Sequence, residues 1–530
     1  GNKLTIAPNT QATLLLDQSY LNTAYPELTV SGGRGAQISL TYAEALLDSR
    51  GIKANRDSVT GMHIFGYADH FRPDGGDNRQ FSSLWFRTFR YLELKAETAG
   101  QPLVIEALTS RAVGYPFERR AVFNSDDPTM TKIWDVGWRT ARLCAGETYF
   151  DCPYYEQLNY AGDTRIQALI SLYASGDDRL MRKAITQFDD SRIPDGLTQS
   201  RYPSNVTQII PPYSLFWIAM VHDYWMHRDD PEFVRSFLPG IQGVLGWFER
   251  HLTKNGLLGH LPWWNFVDWA NEYDSGVCPG ADEGETSVIS LQYVYALQYA
   301  EELFRSFGRI AEADHYRELA AGISQAVKAR CWNEQRGLYA ETPEQKQFSQ
   351  HANIMAILTG LVPRLEQPGM LEKILSEPDL IQCTFYYRFY LTRALKKAGL
   401  ADRYLETLAP WEKMLEIGLT TFAENPEPTR SDCHAWSASP VYDFLATVCG
   451  IEPAEPGFKK VRIEPHPGGL KQVRGSLPHP LGPVELALTQ AGGGGYSAEI
   501  TLPAGLSGEL VWRGKSTELH PGKQQILLAD

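Results

Sequence analysis

The run Asp151-Cys152-Pro153-Tyr154-Tyr155-Glu156-Gln157-Leu158-Asn159-Tyr160-Ala161-Gly162-Asp163 is where this chain concentrates groups able to move a proton. Three carboxylic acids stand among three tyrosines, with no lysine or arginine between them. Pro153 and Gly162 forbid one uninterrupted helix through the segment. The acids are therefore expected on an irregular loop running into a helix, on the floor of a pocket. Glu156 is the first candidate for a general acid. Nearby aromatic rings lower the local polarity and neighbouring acids add like charge, and both raise a carboxyl pKa toward neutrality. Plainer readings stand beside this one. Glu156 can be an ordinary structural acid, Asp163 an N-terminal helix cap after Gly162, and Asp151 the cap of a turn at Cys152-Pro153.

Cutting a glycosidic bond needs a second, ionised carboxylate to activate water or attack carbon. The two groups flank the substrate, so the partner must come from a distant segment. Thr420 to Ser437 stands out: Pro426 and Pro428 keep it irregular, and Glu424, Glu427, Asp432 and His434 are all candidates. His434 also suits a satisfied structural histidine. The linker Pro262-Trp263-Trp264-Asn265-Phe266-Val267-Asp268-Trp269 supplies three indoles and an acid, as a sugar-stacking surface or a buried aromatic cluster. Trp217 reads either as a sugar contact or as a core residue of its helix. No Gly-x-Ser-x-Gly elbow, Walker loop or His-Glu-x-x-His pattern occurs, which leaves serine-esterase, nucleotide and zinc-protease chemistry without support.

The 530 residues exceed one ordinary domain. A formal net charge of −13 argues against a phosphate-binding surface, and so against nucleic acid or an anionic membrane as partner. With 13 Trp and 26 Tyr, the composition suits sugar faces, which stack on flat apolar rings, although large cores use the same residues. The seven cysteines lack metal-ligand spacing, so free thiols are expected. No apolar run reaches the roughly 18 residues of a membrane span. The chain opens on Gly1 rather than Met. That agrees with a removed signal peptide or missing upstream domains, with a periplasmic or secreted location favoured over a cytoplasmic one.

The elements that must position these groups follow from periodicity. Alternating runs at 37–42, 89–95 and 103–107, separated by Gly- and Asp-rich turns, predict an N-terminal β-sandwich domain over 1–115. Asp126-Asp127-Pro128 then opens a helical region, 116–450. Further helices are expected near 163–175, 178–190, 211–228, 230–253, 286–307, 309–331, 350–361, 379–398, 399–415 and 435–449. Paired helices of that number predict an α/α toroid whose linkers 195–212, 262–285 and 419–434 line one open end. Residues 451–530 return to short alternating runs, with Gly492–Gly495 as a hairpin connection, and predict a small C-terminal β-sandwich domain.

Asp151-Cys152-Pro153-x-x-Glu156-x-x-x-Tyr160-x-Gly162-Asp163 resembles the signature of the α-L-rhamnosidases of glycoside hydrolase family 78. The likeness extends to Phe86–Tyr91, to Thr420-Thr421-Phe422-Ala423-Glu424 with His434-Ala435-Trp436-Ser437, and to Pro456-Gly457-Phe458. It implies an (α/α)6 barrel that removes terminal non-reducing α-L-rhamnose from rhamnosides with inversion, needing no cofactor or metal. Glu156 matches the general acid and Glu424 the general base, while Asp151 and Asp163 match acids that hold sugar hydroxyls. Trp217, Trp269 and His434 fall where the family places sugar contacts. Tyr155, Tyr160, Asp268 and Trp436 complete the expected set. Tyr155 stands where many members have Arg and Tyr160 where many have Trp, which puts the exact sugar in question more than the reaction. A calcium-binding carbohydrate module present in some relatives is not visible in this sequence. A monomer or homodimer is expected. Two other readings are a hydrolase or tyrosine-based lyase for another deoxy- or uronic sugar, and a non-catalytic carbohydrate-binding protein.

Overall fold

The computed structural model describes residues 3–491 and 495–529, so the Gly492–Gly494 part of the expected hairpin connection lies outside the described residues. The chain divides into two compact units, and each gathers segments far apart in sequence. One comprises 1–116, 139–157 and 410–435; the other comprises 117–138, 158–409 and 436–530.

In the first unit, seven strands form one antiparallel sheet: β1 (Leu4–Ile6), β2 (Gln11–Gly32), β3 (Gln37–Ala43), β4 (Tyr67–Phe71), β5 (Arg79–Ser82), β6 (Arg87–Glu97) and β7 (Leu103–Ala112). The order is β1-β7-β2-β6-β3-β4, with β5 also on β2. β2 is long enough to serve two neighbours: its first half pairs with β6, and its second half with β7 and β5. The pairing with β6 breaks between Asp17 and Asn22 and resumes as far as Ala24, and in the break Ser19 takes a positive φ of 64° and donates its N–H to Asp17 Oδ1. Such a break bends a strand. The sheet thereby closes on a core of Leu28, Val30, Ile38, Leu40, Phe89, Leu94, Leu103 and Ile105. Periodicity located β3, β6 and β7. It missed β2, in which Asn22 and Pro26 interrupt the alternation.

The second unit is mainly helical, and burial sorts its helices into two kinds. α2 (Ala161–Ala174) and α9 (Gln350–Leu358) are buried on every side, and α4 (Pro211–His227) nearly so. α3 (Arg179–Asp190) buries one stripe, Leu180, Met181, Ala184, Ile185 and Phe188. A helix apolar all round belongs inside, and a striped one outside. Neighbour relations agree: α2 packs on α4, α4 on α7 (Ser287–Ser306), α7 on α9, and α9 on α11 (Phe385–Lys397). α13 (Pro440–Asp443) packs back on α2. α3, α5 (Pro231–Arg235), α6 (Leu238–Glu249), α8 (Ile310–Cys331) and α10 (Gln367–Ser376) flank that series.

Several helices depart from expectation for local reasons. The predicted helix over 230–253 is two, because Pro239 cannot continue an α-helical hydrogen-bond ladder and restarts it as α6. Residues 399–415 split into a 3-10 stretch, Ala401–Leu408, and α12 (Ala409–Glu416). α10 was not anticipated, since Gln367-Pro368-Gly369 reads as a loop although proline is well tolerated in a first turn. The C-terminal strands form a four-stranded and a five-stranded sheet. The latter takes in Val122–Ser125, paired antiparallel with Gln472–His479. That strand precedes α1 (Pro128–Leu143) and falls inside the expected helical region 116–450.

Candidate active site

The loop 419–434 is built as a folded-back strap. Glu424 N–H donates to Ser431 O at 3.0 Å, and His434 N–H donates to Phe422 O at 2.8 Å. Thr140 Oγ1 accepts from Phe422 N–H at 2.9 Å, which ties the strap to the C-terminal turns of α1. The strap is also pinned by cations from the segment after β3. Arg56 grips Asp432 with two nitrogens, at 3.1 and 2.8 Å, and reaches Glu427 at 2.6 Å. Lys53 Nζ bonds Asp432 at 3.0 Å, Glu44 at 3.2 Å and the carbonyl of Arg430 at 2.6 Å. Burial pushes the Glu44 carboxyl up to about 7 against the pull of Lys53. Burial would also raise Asp432, but Lys53 and Arg56 outweigh it and hold that carboxyl below its ordinary range.

Arg430, so held, joins the two candidate acids. Its Nη2 lies 2.7 Å from Glu156 Oε1, its Nε lies 3.4 Å from Glu424 Oε2, and its guanidinium stands 5.2 Å from the centre of the Tyr155 ring. The Glu424 side chain is 6% exposed and that of Glu156 27%. Beneath them, the Cys152 thiol donates to Asp151 Oδ2 at 3.2 Å and accepts from Glu156 N–H at 3.5 Å. Asp151, Cys152 and His434 bring donor atoms within 4.8 Å of one another, the arrangement closest to a metal-ligand set among the described residues. Burial, reinforced by Asp151, pushes the Cys152 thiol far above its usual range, in keeping with its hydrogen bond to the Asp151 carboxylate. Burial, and then Glu44, likewise push the Tyr155 hydroxyl upward.

The remaining candidates lie in the helical unit. Tyr160, Trp269 and Trp436 belong to one aromatic cluster. Tyr160 meets Tyr213, Tyr213 meets Phe266 and Tyr386, Trp269 lies 5.0 Å from Phe266, and Trp436 lies 5.0 Å from Tyr386. Tyr160 also receives a hydrogen bond of 2.9 Å from Arg201. Asp163 sits in the first turn of α2, where Tyr160 rather than an aspartate holds the cap position, and its charge bears on Tyr213. Gly162 is dictated by the same cluster: a Cβ there would lie 2.5 Å from the Tyr213 ring and 2.8 Å from the Tyr386 hydroxyl.

Two expected sugar contacts are scaffold instead. Trp217 is fully buried, donates its indole N–H to Ile185 O at 3.1 Å and packs edge-on to Phe237, so it presents no face to a ligand. Asp268 is equally buried. It accepts from Trp269 N–H, from Thr384 N–H and from the Thr384 hydroxyl, with His351 Nε2 2.7 Å from Oδ2. Those donors engage both its oxygens, and Asp268 anchors the linker that carries Trp269. Sequence reasoning overlooked Arg430, Lys53, Arg56 and Glu44. The only signal for Arg430 was a lone cation among the acids of 424–432.

A model of the bacterial α-L-rhamnosidase six-hairpin glycosidase domain matches residues 118–448, and one of the bacterial α-L-rhamnosidase C-terminal domain matches 450–526. The chain belongs to the α-L-rhamnosidases of glycoside hydrolase family 78. An α-L-rhamnosidase of Alteromonas sp. (strain LOR) is 21% identical over 94% of this chain and 56% of its own length. The family 78 rhamnosidase of Bacillus sp. GL1 superposes with a TM-score of 0.82 at 23% identity, covering 96% of this chain and 54% of that one. A rhamnosidase from Klebsiella oxytoca, with rhamnose bound, gives a TM-score of 0.72 at 20% identity over 83% of this chain and 88% of that one. A helical catalytic domain between β-rich N- and C-terminal parts is thus common to this family 78 chain and those folds. The chain spans about half the length of the curated relatives it matches.

Proposed function

We propose that the protein is an inverting exo-α-L-rhamnosidase, with Glu156 as general acid and Glu424 as general base. The observation that carries this reading is the single Arg430 guanidinium shared by both carboxylates. Nitrogens of one guanidinium are only about 2.3 Å apart at ordinary C–N bond lengths. The two acids thus stand across a short gap, in keeping with the roughly 6.5–9.5 Å that lets one water enter an inverting site. Glu424, the more buried, takes the proton of that water as it attacks the anomeric carbon. Glu156 gives its proton to the departing glycosidic oxygen.

Asp151 and His434, beside the acids, are assigned to sugar hydroxyls, with Tyr155 as a wall under Arg430. Asp163, Tyr160, Trp269 and Trp436 lie in the helical unit, whose inner helices α2, α4, α7, α9, α11 and the 440–448 turns we read as the inner ring of an (α/α)6 barrel. A lyase using Tyr155 as base finds less support, because its burial keeps the hydroxyl protonated.

The test is hydrolysis of an aryl α-L-rhamnoside by the wild type, Glu156→Gln and Glu424→Gln, with the first-formed anomer read by proton NMR. Each variant is expected to lose about 10²–10⁴-fold in kcat, and the wild type to release the β-anomer. Unchanged rates in both variants would overturn the roles, a retained anomer the inversion, and a wild type inert on every rhamnoside the substrate.

A further inference from the structure

We propose that Trp85 and Leu84, in the loop between β5 and β6, form the subsite that receives the leaving group of the substrate, on a flat apolar platform. The inference rests on the assignment of Glu156 as general acid. Leu84 is 101% exposed and Trp85 49% exposed, in a protein with ample core to bury both. Exposed apolar groups side by side mark a binding surface more often than a packing failure.

Trp85 is also held in place. Its indole N–H donates to Gln157 Oε1 at 2.7 Å, and its ring lies 5.1 Å from that of Phe86, which is buried against Phe150. Gln157 directly follows Glu156 and is itself fixed. It takes a positive φ of 56°, a conformation a non-glycine residue adopts only under constraint. Its N–H donates to Cys152 O and its side-chain amide to Pro153 O at 2.8 Å. An exposed indole is thus coupled through one rigid residue to the acid that protonates the glycosidic oxygen.

An exo-acting enzyme encloses the terminal sugar. Open apolar surface beside its general acid therefore lies past the scissile bond, where the leaving group sits. A second exposed aromatic stands against the loop that carries Glu156: Tyr67, the first residue of β4 and 54% exposed, donates its N–H to Tyr154 Oη at 3.3 Å, and the two rings are 5.2 Å apart. Indole and aliphatic faces bind ligands that are flat and apolar on one side. The ligand class is a leaving group with such a face, either an aryl ring or the C–H face of a second sugar.

The experiment compares kcat/KM for an aryl rhamnoside and a rhamnosyl disaccharide with that for α-L-rhamnosyl fluoride, whose leaving group reaches no platform. Trp85→Ala is expected to lower the ratio of large-group to fluoride rates by about tenfold, and Leu84→Ser by a few-fold. Trp85→Phe, which keeps a ring and loses the bond to Gln157, should retain most of the ratio. Whichever substrate loses more identifies the aryl or the sugar source. A ratio that falls as far in Trp85→Phe as in Trp85→Ala would mean that Trp85 merely steadies Glu156 through its bond to Gln157, and no loss on any substrate would mean that the platform is idle; either result overturns the proposal. Calorimetric titration with the free phenol and the free sugar product needs no turnover, and binding that Trp85→Ala leaves unchanged overturns it as well. A protein that binds these compounds through Trp85 and cleaves no rhamnoside would overturn the hydrolase reading and uphold the platform.

Discussion

At the scale of single residues, the shared arginine is the most consequential contact. In the roles proposed above Glu156 donates a proton, so Arg430 is expected to exchange Glu156 for a sugar hydroxyl when substrate enters. Its side chain, 47% exposed, has room to do so. Arg430→Gln should lower kcat/KM for an aryl α-L-rhamnoside by about tenfold, because the guanidinium that holds both carboxylates is lost. An unchanged kcat/KM would show that the contact does not bear on the site. The sequence singles out Glu156, Glu424, Asp151 and His434 as candidates because each sits in a motif of distinctive residue types. It left Arg430 illegible, since nothing in Pro428-Thr429-Arg430 states where a flexible side chain will turn.

At the scale of elements, the strap 419–434 depends on charges it does not contain. Lys53 and Arg56 neutralise Asp432, and Glu44 shares Lys53 while accepting the N–H of Asp432 at 3.1 Å. Glu44 titrates near 7 when folded and near 4.5 when unfolded. Between those values the folded chain binds a proton that the unfolded chain has lost. Its contribution is therefore full below about 4.5 and disappears as pH rises through about 7. Thermal melting followed from pH 5 to 8 should show this decline in the wild type and a flatter course in Glu44→Gln. Equal slopes would mean that Glu44 stays ionised throughout. Such an arrangement escapes periodicity analysis: the segment after Ala43 reads as a polar loop, and burial turns its charges into a clamp.

At the scale of the whole molecule, the chain has placed charge within the helical unit too. Arg165, fully buried on α2, bonds Asp223 at 2.8 Å and is faced by the rings of Tyr295, Tyr299, Phe389 and Tyr390. Removing one member of such a pair strands the other charge and typically costs about 3–5 kcal/mol. Asp223→Asn should lower the melting temperature by about 5–10 °C, while the double change Arg165→Met with Asp223→Leu should recover most of it. A loss under about 1 kcal/mol in the single variant would show the pair to be screened. The sequence by itself determined the succession of strands, helices and strands, because a period of two or 3.6 is a local property of side-chain placement. It also singled out the motifs proposed as catalytic, whose residue types carry their chemistry with them. Only the tertiary structure decided that 139–157 and 410–435 join the N-terminal sheet in one compact unit, that Val122–Ser125 completes a C-terminal sheet, and that Trp217 and Asp268 are scaffold. Those outcomes follow from long-range pairing and burial, which depend on what lies opposite in space, and no stretch of sequence records its own partner.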